Sequence, residues 1–260
     1  FAGIEAVIAF DLITFSAAFI VLLFFIRIPE AAQKSENKET LLQSAKSGLV
    51  YLKSNQGILW LILFLSAINL IASIHSSALP ALILSKSNKT ALGIVNSFTG
   101  IATLLGSIIA TFLPKPKSRI KMICNCLLIA MSTENFLLAL GNSTLVWCIG
   151  TVLGWIFIPL MSANYDVIFR SNVPKEMQGR VYSVRNTLQF FTIPVGYFLG
   201  GLLVDDVFEP FMKNIKIKPL IDIFGLEKGS GAALLFFIIG IAGVIVCLFF
   251  QNVKKLKELE

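Results

Sequence analysis

The 260-residue sequence predicts an all-α integral membrane protein, and two observations carry that prediction. Charged residues make up 14% of the chain, against about 25% in soluble domains, while 56% are hydrophobic and Phe alone fills 22 positions. A soluble chain of this length could not cover its surface with so few charges. The apolar residues are also gathered into runs that reach the ~18 positions a helix needs to cross a bilayer. These runs are continuous rather than alternating, which argues against a β-barrel.

Seven runs qualify: about 4–26, 58–80, 91–113, 121–140, 144–169, 181–204 and 231–251. As helices, each covers ~30 Å of hydrocarbon. None of the 22 Lys and Arg residues falls in the middle of a run. Sixteen belong to the 27–57, 114–121 and 170–185 loops and the 254–257 tail, and six to the alternate loops. The positive-inside rule places the sixteen in the cytoplasm, with the start of the chain outside and its end inside. The net charge of +7 is therefore a topology signal, and a nucleic-acid partner is not expected. The chain opens at Phe1, within an apolar run and with no charged region before it, which is not a signal-peptide pattern. The expectation is a fragment whose N-terminal part is missing. A retinal protein would need a lysine within a span, and there is none.

Within the spans, residues at i, i+3, i+7 and i+11 share one helical quadrant. The second span uses that spacing for Ser66, Asn69, Ser73 and Ser77, and the third for Asn96, Thr99, Thr103 and Ser107. The fifth carries Cys148, Trp155, Pro159, Ser162 and Asp166. In hydrocarbon a polar stripe must face protein or water. Two readings stay open: a substrate path, or close helix packing. Packing is the reading for the small pairs Gly150–Gly154 and Gly196–Gly200.

The ionisable groups within spans are Asp11, His75, Glu134 and Asp166. A charge at mid-bilayer costs about 2.5–3.5 kcal/mol, so each asks for a reason. Asp11 and Glu134 are candidate proton-coupling residues. Glu134 lies across its wheel from Asn125, away from other polar groups. His75 reads as an interfacial residue near the outer end of its span, and Asp166 as the partner of a loop arginine. The four cysteines, Cys124, Cys126, Cys148 and Cys247, match no zinc or disulfide spacing and read as small buried hydrophobes. No phosphate-binding loop, metal spacing or nucleophile–base arrangement is present, so neither enzyme activity nor a cofactor is expected.

Four stretches carry a family resemblance: FDLITFSAAFIVLLFFIRIPE (10–30), VPKEMQGRVYSVRNT (173–187), GGLLVDDVFEPFM (200–212) and GLEKGSGAALLFFIIG (225–240). They resemble the C-terminal half of a major facilitator superfamily transporter with the helix that precedes it. The branch they look like is bacterial drug efflux, which includes macrolide exporters and is similar to the enterobactin exporters. The resemblance implies four parts: the last helix of the N-terminal half (1–27), a cytoplasmic central loop (28–57), a six-helix bundle (58–252) and a cytoplasmic tail (253–260). It implies a multi-pass protein of a bacterial cell membrane, a small-molecule substrate, and a missing N-terminal half that completes the cavity.

The function implied is a proton-coupled exporter of amphipathic compounds such as drugs, working by alternating access. A lipid or lysophospholipid flippase of the same fold is the first alternative. A non-transporting seven-helix receptor or scaffold is the second. Substrate contacts are expected from Asn69, Ser73, Asn96, Thr103, Trp155 and Ser162. A cytoplasmic gate is expected from Asp166, Arg180 and Arg185, with Gly179 allowing a tight turn before the next helix. FLPKPKSRIKMI (112–123) departs from the family pattern: it keeps the basic residues but lacks the acid and the glycine of a gating motif.

Overall fold

The computed structural model describes residues 4–25 and 41–260. All regular structure among them is helical, and seven segments are long and apolar enough to cross a membrane. They form two units, described separately.

The first unit holds α1 (Ile4–Phe24), whose span has a mean hydropathy of 2.5 and nothing buried within the unit. The Thr14 hydroxyl bonds back to the carbonyls of Phe10 and Asp11, so its polar group is satisfied inside its own helix. Asp11 itself is exposed in this unit. Residues 26–40, which hold much of the expected central loop, lie outside the described residues.

The second unit, Leu41–Glu260, begins with α2 (Leu41–Ser54), a helix within the stretch the sequence reads as loop. It lies against a later helix, and Leu52 is almost fully buried. Then comes α3 (Gln56–Lys86), 31 residues and about 46 Å long. It runs past Pro80, six residues beyond the expected end. The next two are α4 (Lys89–Phe112) and α5 (Arg119–Leu140), started by Asn88 and Ser118, whose side chains accept from the amides of Ala91 and Lys121.

The fifth expected span is two helices, α6 (Thr144–Trp155) and α7 (Ile158–Asn172), joined by a turn at 156–157. Pro159 in the first turn of α7 is the local cause, because it cannot donate to the carbonyl of Trp155. The sixth span is also segmented: α8 (Lys175–Phe190), α9 (Thr192–Leu202), a π-helical turn (Leu203–Phe208) and α10 (Glu209–Asn214). Gly179 lies inside α8, so the tight turn expected there is absent and Arg180 and Arg185 stand on a helix. Beyond it, α10 is followed by another short helix, α11 (Lys218–Phe224). Phe208 packs on the core, while Phe211 and Ile223 are exposed. The chain ends with α12 (Ser230–Gln251) and the short α13 (Lys254–Lys257).

In this unit α3 packs against α9 and α12, and α5 against α6 and α12. Phe64, Trp147, Phe169 and Phe236 are among the largest fully buried side chains. All four cysteines are free and buried. Much of α4 is exposed, with Leu104 at 67% and Phe112 at 83%; in a membrane such a surface meets lipid or protein. At the basic end, Glu260 accepts from the Ser118 hydroxyl and the Ile120 amide, both at 2.7 Å. The tail is thereby tied to the start of α5. Tyr51 of α2 donates to the carbonyl of Asn172 at 3.0 Å, and burial raises its phenol above the ordinary value.

Candidate functional site

The polar stripe of α3 divides between two environments. Ser66 and Ser77 donate to the carbonyls of Leu188 and Tyr197, and the Asn69 amide donates to the carbonyl of Gln189. Gly196 and Gly200 fit against Ser73 and Ser77 so closely that β-carbons there would lie 2.5 and 2.7 Å from the serine Cβ atoms. This seam joins α3 to α8 and α9. It leaves Ser73, expected as a cavity residue, buried with its hydroxyl on the Asn69 carbonyl. Asn96 is exposed on α4, and Thr103 bonds to its own helix at Thr99. Neither reaches the centre described next. Ser162 is exposed on α7. The expected Cys148-to-Asp166 stripe crosses the turn at 156–157, and its members differ in environment: Cys148 is buried and Ser162 exposed.

The buried ionisable groups meet elsewhere. Glu134 of α5 and His75 of α3 are 5% and 7% exposed, and His75 Nε2 lies 3.5 Å from Glu134 Oε1. His75 is not interfacial, since α3 continues to Lys86 and leaves it well inside the helix. Trp155 at the end of α6 donates its indole N–H to the same Oε1 at 3.0 Å. The ring of His75 also stands edge-on to Phe236 of α12, with centroids 5.0 Å apart.

The proton inventory of this cluster follows from its partners. Asn135 donates Nδ2–H to the carbonyl of Met131 at 2.7 Å, and a carbonyl can only accept. Its Oδ1 therefore faces His75 Nδ1 at 3.0 Å and accepts from it. With Nδ1 committed as donor, Nε2 and the Glu134 oxygen face each other as two acceptors unless one of them holds a proton. A proton on Nε2 makes an imidazolium–carboxylate pair; on Oε1 it makes a neutral acid against a neutral imidazole. A single proton taken up at either atom would bridge the two groups.

A cavity of about 230 Å³ adjoins the cluster, lined by Asn69, His75, Glu134, Trp155 and the methionines Met131 and Met161 among others. Two of the residues expected to contact substrate, Asn69 and Trp155, are thus brought together with Glu134, one of the two expected for coupling. Sequence reasoning missed His75 and Asn135 as partners of Glu134. The signal was available: ionisable residues are rare in spans and tend to pair.

At the basic end, Arg185 of α8 packs its guanidinium against the rings of Tyr182, Phe169 and Tyr165, at 4.5, 4.9 and 5.6 Å. Its Nε and Nη2 both donate to Asn186 Oδ1, and Nη1 lies 4.0 Å from Asp166. Arg180 stands one turn earlier, with its backbone carbonyl against Gly48 of α2. No group of three or more potential metal ligands occurs among the described residues.

A family model of the Major Facilitator Superfamily matches residues 1–197, and the chain belongs to that superfamily. No curated protein and no solved structure gave a match. The all-helical bundle and its seven candidate spans agree with that fold, making this a multi-pass membrane protein of a transporter family rather than an enzyme.

Proposed function

We propose that the chain works as the C-terminal half, with one preceding helix, of a proton-coupled exporter of amphipathic small molecules. The observation that carries this reading is the 3.5 Å approach of His75 Nε2 to Glu134 Oε1 beside a cavity in the bundle, a pair able to hold one exchangeable proton. A site with one exchangeable proton next to a space for part of a ligand has what antiport requires: proton and substrate can alternate. The apolar lining from Met131 and Met161 suits an amphipathic compound, since methionines adapt to varied shapes. The bacterial drug-efflux branch is proposed from the stretches quoted above. An N-terminal half packed against this bundle would close the path.

The sixteen-to-six charge count supports a cytoplasmic location for the end carrying Arg185. There Asp166, Arg180 and Arg185 would form a gate, with Arg185 held by its aromatic surroundings and free to exchange its long contact with Asp166. Each proton moved down the membrane potential supplies about 2.3 kcal/mol per 100 mV.

The test uses inverted vesicles containing the complete gene product and a fluorescent amphipathic amine. Acidifying the lumen should drive uptake, and Glu134→Gln should reduce it at least tenfold. Asp11→Asn, the other residue expected to couple protons, is measured beside it. Full proton-driven uptake by Glu134→Gln would place coupling elsewhere.

A further inference from the structure

Trp155 touches Glu134 and is also the last residue of α6, one position before the chain breaks. That double placement extends the proposed function. The arm before the break is fixed. Trp147 is buried and donates its indole N–H to the carbonyl of Gly141 at 3.0 Å, and Gly150 and Gly154 lie directly against Leu137 and Glu134 of α5. At the break, the carbonyl of Ile156 sits against Gly106 of α4, where a β-carbon would collide with it. The arm after the break starts without a side-chain cap and with a proline in its first turn. Pro159 leaves the carbonyl of Trp155 without its usual amide donor where α6 hands over to α7. α7 packs on α5 and α4 beyond the joint, so its angle to α6 is set by those contacts together with what holds the joint.

We infer that Trp155 is the positioning residue that carries the protonation state of Glu134 to the basic end of the bundle, by holding or releasing the joint between α6 and α7. This rests on reading Glu134 as the proton site. An indole N–H bonded to a carboxylate is a charge-assisted hydrogen bond, roughly twice as strong as one to a neutral acceptor. When Glu134 takes up a proton, that bond weakens and the indole no longer anchors the joint. α7 then pivots, carrying Asp166 relative to Arg185 and Asn164 relative to Arg119, whose Nη1 donates to Asn164 Oδ1 at 2.8 Å. A small loss at one oxygen becomes a displacement at the far end of a lever.

The surroundings of Glu134 make it the controlling group. From α3 it meets His75, whose Nε2 lies 3.5 Å from its Oε1. From α6 it meets Trp155 and Gly154, and α7 lines the cavity with Ile158 and Met161. From α12, Gly240 and Gly243 lie on Asn135 and Met131, and Phe236 on His75. Asp222 of α11 borders an outer groove together with Lys86.

The test is a pulsed-EPR distance between spin labels at Lys121→Cys and Ser171→Cys, at the basic ends of α5 and α7, in the complete gene product in nanodiscs. The native thiols are buried and do not compete. Between pH 5.5 and 8.5 the parent should exchange two distance populations. Glu134→Gln should show the low-pH population throughout. Trp155→Phe, which keeps a ring but removes the N–H, should also lose the pH response, with its melting temperature within a few degrees of the parent. Pro159→Ala supplies the missing donor to the Trp155 carbonyl; it should reduce the response by at least half without moving its midpoint. A full parental response in Trp155→Phe, or no response in the parent, overturns the inference. Loss of the response in Glu134→Gln with its retention in Trp155→Phe would leave the proton site standing and remove the lever. Failure of Glu134→Gln to affect uptake would strike the proposed function instead.

Discussion

The carboxyl group of Glu134 fills the space that a side chain at Gly154 would need: a β-carbon there would lie 2.8 Å from Cβ of Glu134. The glycine is therefore a condition for burying the acid where it is. Gly154→Ala should force α5 and α6 apart and cost about 1–3 kcal/mol, as overpacking does. Unfolding in detergent measures that loss, and proton-driven uptake should fall with it. An alanine tolerated without change would mean that α5 and α6 separate easily.

His75 and Glu134 should be energetically coupled. Glu134→Gln and His75→Gln each leave one buried partner without its proton relation, while the double variant leaves two neutral amides. A double-mutant cycle on stability should give an interaction of about 0.5–3 kcal/mol. Additive losses would mean that the 3.5 Å approach carries no interaction.

Arg185 should not tolerate lysine. Its guanidinium lies against three rings and donates twice to one amide oxygen, and an ammonium reproduces neither arrangement. Arg185→Lys should destabilise the bundle by about 0.5–2 kcal/mol. Asp166→Asn should cost much less, because the Asp166 side chain is 51% exposed and its contact is 4.0 Å long. Equal losses from the two would show that the ion pair, rather than the aromatic packing, holds the arginine.

Glu209 ties α10 to the start of α12. One carboxylate oxygen accepts from the amides of Gly229 and Ala232, at 3.0 and 3.1 Å. Glu209→Ala should cost about 1–3 kcal/mol, since both amides lose a charged acceptor. Hydrogen exchange at those amides should accelerate first. Unchanged protection would mean that water replaces the carboxylate without loss.

The spans were legible because a bilayer demands long apolar runs, and all seven reappear as helical segments. What a single wheel could not reveal was the break at 156–157. Reading 144–169 as one helix put Cys148 and Ser162 on one face, yet Cys148 is buried and Ser162 exposed. Pro159 was visible, but nothing local said whether it would kink the helix or end it. The serines of α3 were ambiguous for another reason. Their partners, Leu188 and Tyr197, lie 122 and 120 residues later, and small polar residues look alike whether they face water or a distant helix. The pairing of His75 with Glu134 was hidden by an early end drawn for α3, which left the histidine near the surface.

His75 and its partner Asn135 are 60 residues apart in the chain. At 5–20 residues per second, a ribosome needs about 3–12 s to make that interval. During this time the first helix of the bundle is delivered to the translocon with its imidazole alone. The histidine must enter lipid before its partners exist, with its ring satisfied by water or its own backbone. Its contact with Glu134 can form only after α5 has arrived, and the bond from Trp155 to that carboxyl only after α6. Biogenesis thus passes through an interval in which the imidazole waits without its partners, and His75→Leu should ease insertion of α3 even though it removes the buried pair.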